Sequence, residues 1–159
     1  MASTTATGSA ARVDGDRSSA VLRYTAAFYA LPIVLHTADH IRRGIGSTTS
    51  AVLVAGTVAT LLAAIAIALV FAKRPSAPVV AVFVGFGNAA GVAAVHLLPR
   101  WSALSDAFPG GTVGPASWTA VLLEIAAALA FGAAGLFELA RPRGLLPDSR
   151  AGRRAPLRP

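Results

Sequence analysis

Cysteine is absent from this chain of 159 residues, and Met1 is its only methionine. Without a thiol, the chain can form no disulfide, no thiolate metal site and no covalent bond to haem. Charged residues are scarce, at 13% against about 25% in soluble proteins, while 55% of the residues are hydrophobic. No phosphate-binding loop, nucleophile elbow, dinucleotide fingerprint or zinc-protease motif occurs. Any chemistry must therefore come from a few polar side chains in an apolar chain.

Four long apolar runs contain most of the hydrophobic residues, at 24–41, 51–72, 78–98 and 118–139. About 20 residues of helix cross a hydrocarbon core of ~30 Å, at ~1.5 Å per residue. Because backbone amides in lipid must be satisfied within their own segment, each run predicts a helix. Short loops make consecutive helices antiparallel neighbours. The sequence predicts an all-α polytopic membrane protein, an up-down-up-down bundle of four transmembrane helices at about 20–41, 51–72, 78–98 and 117–140.

Most of the net charge of +7 is predicted to lie on one side of this bundle. The N-terminal segment, the second loop and the C-terminal tail hold most of the arginines, so the positive-inside rule places both termini in the cytoplasm. Residues 1–19 and the Arg/Pro-rich residues 141–159 are predicted to be disordered cytoplasmic tails flanking a transmembrane domain at 20–140. Basic tails of this kind contact anionic lipid, so nucleic acid is not an expected partner.

The bias toward alanine and arginine is typical of high-GC bacterial genomes, and the expected location is a bacterial plasma membrane crossed several times. The lipid bilayer is the predicted partner. Chains of this size also commonly work as homo-oligomers or with another membrane subunit, and both arrangements are compatible with the sequence.

The polar end of helix 1 is the most informative segment. Only 12 residues separate Arg23 from His36, about 18 Å of helix, so the helix must continue through Asp39 and His40 to cross the core. Spacings of three and four residues place these polar side chains on one helical face. Ionisable groups in a bilayer are costly, and a set of them on one face indicates a functional site.

Two further ionisable residues are predicted at a similar depth. His96 of helix 3 lies four residues before Arg100, ~6 Å below the outer interface, on a face of small residues that lets another backbone approach. Glu124 of helix 4 lies six residues after Trp118, ~9 Å below the interface. The three histidines of the chain and this glutamate are therefore expected to converge in the outer half of the bundle.

A histidine pair at i and i+4, with a third histidine and a carboxylate, is typical of a transition-metal site. The predicted ligands are His36, His40 and His96 with Glu124 or Asp39, and the remaining carboxylate would orient an imidazole. Nitrogen and oxygen ligands favour zinc, iron or copper(II) over copper(I), which prefers sulfur. An open coordination position would allow the ion to activate water.

Three alternatives use the same residues. Haem b could be held by His96 and by His36 or His40 as axial ligands. Glu124 could carry protons in a coupled transporter, with the histidines as a relay. A structural or partner-binding membrane subunit would use these groups as a polar packing network. The sequence indicates no substrate and leaves open whether the protein is an enzyme.

Overall fold

The computed structural model describes residues 5–111 and 113–141, and the side chains within 20–44, 46–111 and 113–141. In this part of the chain the fold consists of four α-helices and one short 3-10 turn, so the predicted all-α class is confirmed. The helices are α1 Thr5–Arg43, α2 Ser50–Phe71, α3 Ala77–His96 and α4 Pro115–Ala140, and the 3-10 turn is Ile45–Ser47. Of the predicted tail at 141–159, residues 142–159 lie outside the described residues.

Three helices, α2, α3 and α4, are long and apolar enough to cross a membrane, with 22, 20 and 26 residues. At ~1.5 Å per residue they measure about 33, 30 and 39 Å, against a hydrocarbon core of ~30 Å. Large apolar side chains lie on the outer surface of the bundle, among them Val54, Leu61 and Ile65 of α2, each more than half exposed. Such a surface indicates a membrane location, because soluble proteins rarely expose large apolar patches.

The bounds of α2, α3 and α4 agree with the predicted helices to within two residues. Proline lies in the first turn of α3 and of α4, where its missing N–H costs no helical hydrogen bond. Thr49 caps α2, because its hydroxyl accepts a hydrogen bond of 3.2 Å from the Val52 N–H. Lys73, with a φ of 53°, lies in the short connection that follows α2.

The start of α1 differs from the prediction. The helix begins at Thr5 rather than near residue 20, so it includes residues 5–19, which composition had assigned to a disordered tail. Serine, threonine, glycine and aspartate make up nine of the 15 residues of this segment, so intrinsic helix propensity does not account for the extension. A helix that has already formed gains a hydrogen bond with each added residue, and it can therefore extend beyond its apolar part.

The central helix of the bundle is α4, which makes its most extensive contacts with α3 and the next most extensive with α1. A Cβ atom added to Gly85 of α3 would lie 2.5 Å from the backbone nitrogen of Gly132 in α4. One added to Gly135 would lie 2.7 Å from the carbonyl oxygen of Pro78. Only glycine permits such an approach, and the predicted packing role of the small residues on helix 3 is confirmed.

Aromatic and amide side chains join α1 to the other helices in the core. Tyr29 of α1 is fully buried, and its ring centroid lies 5.5 Å from that of Phe131 in α4. Asn88 of α3 donates a hydrogen bond of 2.6 Å from its Nδ2 to the Tyr29 hydroxyl. In contrast, α2 contacts α1 and α3 much less extensively than α4 does.

Candidate metal centre

The three histidines of the chain lie together at one end of the bundle. His36 and His40 are one turn apart near the end of α1, and His96 is the last residue of α3. The ring centroid of His36 lies 4.9 Å from those of both His40 and His96, which are 5.6 Å from each other. One nitrogen of each ring lies within 4.8 Å of the other two, so the three side chains could hold a metal ion.

Glu124 of α4 orients the His36 ring. Its Oε2 and the His36 Nδ1 form a short buried hydrogen bond. Because a carboxylate can only accept, Nδ1 carries the proton and Nε2 keeps its lone pair in the neutral ring. His36 Nε2 is buried and has no hydrogen-bond partner among the described residues. A buried polar atom without a partner is costly, and this lone pair is the kind that binds a metal.

The loop that follows α3 orients His96. Its Nδ1 donates to the Asp106 carbonyl oxygen over 3.1 Å, which leaves the Nε2 lone pair available. Two backbone hydrogen bonds fix the loop, from the Asp106 N–H to the Val95 carbonyl at 3.0 Å and from the Phe108 N–H to the His96 carbonyl at 2.9 Å. The Phe108 ring covers His96, with centroids 4.8 Å apart. The loop therefore both covers this imidazole and selects its tautomer.

His40 is the least constrained of the three rings. It is half-buried, whereas His36 and His96 are buried. Its Nδ1 lies 3.2 Å from Arg43 Nη2 and 3.4 Å from Thr48 Oγ1. Arginine can only donate, so it favours the tautomer whose proton is on Nε2, whereas the Thr48 hydroxyl can donate or accept and is compatible with either tautomer.

Asp39, one of the predicted ligands, lies in a cluster of ion pairs beside the histidines. One of its oxygens accepts from Arg42 Nε at 3.0 Å and Nη2 at 2.6 Å, and the other lies 3.2 Å from Arg43 Nε. Arg43 also contacts Asp106, with Nη2 2.5 Å from Oδ2. Arg42 donates to the Ser117 hydroxyl of α4 over 3.1 Å. The cluster ties the end of α1 to α4 and to the loop after α3.

The pKa of Asp106, which lies in that loop, is held below its ordinary value. Burial alone would raise this pKa, but the hydrogen bond and the positive charge of Arg43 together outweigh it. Asp106 is therefore ionised at neutral pH. Its charge and that of Asp39 balance those of the two arginines.

A cavity of ≈ 580 Å³ opens beside the histidines, between α1, α2 and α3. This volume lies within the range of about 300–1,000 Å³ that is usual for small-molecule sites. All three histidines line the cavity, together with Glu124. The rest of its wall is mostly apolar, as shown by Ile33 of α1, Val52, Leu53 and Gly56 of α2, and Val92 and Val95 of α3. Helix 2, which has no ionisable residue, thus forms one wall of the cavity.

The groups that orient the imidazoles from outside the helices were not predicted. The Asp106 carbonyl lies ten residues beyond His96, and a backbone oxygen leaves no signal in the sequence. Arg43, at the end of α1, joins Asp39 to Asp106. The usable signal was the pairing of opposite charges, because two arginines at the end of one helix favour a nearby carboxylate in the outer loop.

No protein-family model, curated protein or solved structure matches this chain. The function must therefore be inferred from the histidines, the groups that orient them and the adjoining cavity.

Proposed function

We propose that this chain is an integral membrane protein that binds a transition-metal ion through His36, His40 and His96. The observation that carries the proposal is the buried Nε2 of His36, which has no partner within the described residues and lies beside two further imidazoles. A zinc ion with Zn–N bonds of ~2.0–2.1 Å holds tetrahedral ligand nitrogens ~3.3 Å apart, so the three rings, whose nitrogens lie within 4.8 Å of one another, would move toward the ion. It would also satisfy the unpaired nitrogen.

Two hydrogen bonds support this assignment, because they engage Nδ1 of His36 and of His96 and leave the Nε2 atom of each ring free to bind the ion. Glu124 and the Asp106 carbonyl oxygen accept from the Nδ1 atoms of His36 and His96. Metal-binding histidines usually donate their second N–H in this way, and the bond fixes the ring and makes it a better ligand. We therefore assign Glu124 to orienting His36 rather than to the ion. Asp39 supports the site through Arg43 and does not bind the metal.

Three neutral nitrogen ligands favour zinc or iron(II) and leave a fourth coordination position. In zinc enzymes the corresponding position holds water or substrate. Here it would face the cavity, since all three histidines line it. His40 is the weakest ligand, because metal binding at Nε2 requires its Nδ1 proton to face Thr48 rather than Arg43.

We further propose that α1 is a fourth transmembrane helix, in an up-down-up-down bundle of a bacterial plasma membrane with both termini cytoplasmic. Leu31 and Val34 are more than half exposed on α1, whereas Leu22, Tyr29 and Ile33 are buried. An apolar outer face on a packed helix is expected where the solvent is lipid. In this arrangement the metal site lies in the outer half of the bundle, within the domain at 20–140.

The alternatives have weaker support. Axial histidines lie on opposite faces of a haem, but the His36 and His96 rings are in edge-to-face contact and leave no room for a porphyrin between them. For proton transport, no ionisable residue follows Glu124 on α4 until Glu138, ~4 turns away. A purely structural network accounts for the ion pairs, yet it leaves His36 Nε2 unsatisfied.

Metal analysis of the detergent-purified protein tests the proposal. His36→Asn keeps an N–H near the position of Nδ1 for Glu124 but removes Nε2. We expect one zinc or iron ion per chain in the wild type and an affinity at least ~100-fold lower in this variant, since each ligand of a structural zinc site contributes roughly 3 kcal/mol. The matched control is Thr37→Val, an isosteric change in the next residue, which lines the same cavity and should keep the ion.

Two results would decide between the alternatives. A Soret band in the wild-type protein that disappears when His96 is replaced would select haem. A wild-type protein that gains no metal from zinc- or iron-supplemented buffer, together with a His36→Asn variant of lower stability, would support the structural network and contradict the proposal.

A further inference from the structure

The cavity beside the histidines has one polar end and otherwise apolar walls. Along α2 it extends from Val52 to Leu61, and along α3 from Asn88 to His96, each about 12–14 Å at helical rise. The imidazoles stand at the end of α3, one limit of this span. Its shape is therefore that of a channel parallel to the helices, with the candidate metal at one end.

Two polar side chains elsewhere in the wall are paired within the protein. Asn88 Nδ2 donates to the Tyr29 hydroxyl at 2.6 Å, and the Thr57 hydroxyl donates to the Leu53 carbonyl of its own helix at 2.8 Å. An occupant thus meets polar groups mainly at the histidine end, and the rest of its surface must be apolar.

The size of the channel suits a small lipophilic molecule. Its ≈ 580 Å³ is about four times the ~150 Å³ of a dry cavity that admits benzene, so it has room for on the order of 20 non-hydrogen atoms. The channel is partly open, and α2, which forms one wall, is the helix least tightly held by its neighbours. A molecule dissolved in the bilayer could enter beside it.

The charge of the site, if the proposed metal is bound, determines the polar end of the occupant. A divalent ion with three neutral imidazoles leaves two positive charges, and Glu124 compensates one of them. The neighbouring aspartates and arginines compensate one another through their ion pairs. One positive charge remains, and the fourth coordination position is available for an anionic oxygen.

We propose that this channel binds a lipophilic monocarboxylic acid, with its carboxylate on the histidine-bound metal and its hydrocarbon chain between α2 and α3. This inference rests on the proposed metal site and specifies the ligand that the site takes. A carboxylate supplies both the missing negative charge and an oxygen ligand, and the apolar walls receive the chain. A neutral alcohol of equal chain length lacks the negative charge and should bind more weakly than the acid.

Cobalt(II) substitution allows the metal and the ligand to be tested separately. The full-length protein in detergent is loaded with cobalt, and its visible absorption is followed during titration with acetate, butanoate, hexanoate and octanoate, and with octan-1-ol. We expect a spectral change with each acid, and an apparent Kd that falls by up to ~4-fold per added methylene, since each buried methylene contributes ~0.8 kcal/mol. Octan-1-ol should leave the spectrum unchanged.

A variant that fills the channel sharpens this test. Gly56 lines the channel and has no atom within 4 Å of an added Cβ, so Gly56→Leu should keep the cobalt spectrum and reduce the response to octanoate at least tenfold. Gly87→Leu is the matched control, because Gly87 also has free space around it and does not line the channel. It should bind octanoate as the wild type does.

The outcomes distinguish the two proposals. Failure of the wild type to bind cobalt would contradict the metal site and the inference with it. Bound cobalt whose spectrum does not respond to octanoate, responds equally to acetate, or responds equally to octan-1-ol would contradict only the lipophilic acid.

Discussion

The two sides of α3 are built from similar small residues but pack in opposite ways. Toward α4, Gly85 meets the Gly132 backbone at a distance that excludes even a methyl group. Toward α2, Gly91 and Ala94 line a cavity of ≈ 580 Å³. Small residues alone therefore do not close a helix interface. Close approach requires glycines that face each other at matching heights, and α2 presents none opposite its neighbours, since nothing lies within 4 Å of a Cβ added at Gly56.

The side of α3 that packs against α4 is the closed side, and the side that faces the cavity is the open side. The ionisable residues lie where these two sides meet. Glu124 extends from the tightly packed α4, His36 from α1 and His96 from the end of α3, and all three line the cavity. A rigid wall holds the imidazoles in position, while the open side leaves space for an ion and a ligand. Preorganised groups beside an accessible volume are the usual basis of a binding site.

Breaking the closed side should produce the largest effect. Gly85→Ala puts a methyl group 2.5 Å from the Gly132 nitrogen, so α3 and α4 must separate. We expect a loss of about 2–3 kcal/mol in the free energy of unfolding, typical of an overpacked core, together with weaker metal binding. Unfolding by SDS in dodecyl maltoside micelles measures the first quantity. Gly87→Ala on the same helix meets no atom within 4 Å and should not be destabilised. Equal losses in both variants would contradict the described contact.

The orienting role of Glu124 predicts an effect on metal binding rather than on folding. Glu124→Gln keeps an oxygen near His36 Nδ1 but removes the charge, so zinc affinity should fall about 10–100-fold, as for other residues that orient a ligand. Competition with a chromophoric zinc chelator measures this affinity. Glu138→Gln, on the same helix, should leave it unchanged. A complete loss of zinc in Glu124→Gln would instead indicate that Glu124 binds the ion directly.

The loop over His96 should contribute a smaller amount. Asp106→Asn keeps the backbone carbonyl that orients His96 and removes the charge that faces Arg43. Because both side chains are only about 15% exposed, the ion pair should contribute more than a surface pair, and we expect a loss of ~1–2 kcal/mol in unfolding free energy. SDS unfolding measures it, and zinc affinity should change less than in Glu124→Gln. A larger loss of zinc affinity in Asp106→Asn than in Glu124→Gln would mean that the carboxylate of Asp106, and not its backbone carbonyl, orients His96.

The open side should respond to the same substitution with the opposite sign. Gly56→Ala on α2 meets no neighbour, so the gain in helix propensity should stabilise the protein by roughly 0.5–1 kcal/mol. The measurement is again SDS unfolding, compared directly with Gly85→Ala. A destabilised Gly56→Ala would show that α2 packs more closely in the membrane than it does here, and that the cavity is smaller.

Hydropathy and helix length predicted most of the fold. The bounds of α2, α3 and α4 followed from the lengths of the apolar runs and from the ~20 residues that a hydrocarbon core requires. The start of α1 was predicted too late, because composition alone does not show how far a helix continues past its apolar part. The closeness of His36, His40 and His96 also followed from helical spacing and depth.

The partners of the imidazoles were harder to predict. Asp39 satisfies the same spacing rule as the histidines, yet it contacts Arg42 and Arg43, because a short side chain at the helix end is reached by arginines three and four residues later. The contact of His96 with the Asp106 carbonyl depends on the path of a loop, which no periodicity describes. The cavity beside α2 is a property of packing and has no signature in the apolar runs.

Zinc K-edge X-ray absorption of the zinc-loaded protein tests the central claim most directly, since it reports the atoms bound to the ion. We predict three imidazole nitrogens at ~2.0–2.1 Å and one oxygen, with the outer-shell imidazole signal reduced by a third in His96→Gln. A first shell of oxygens alone, or a spectrum that does not change when His96 is replaced, would contradict a metal site built by His36, His40 and His96.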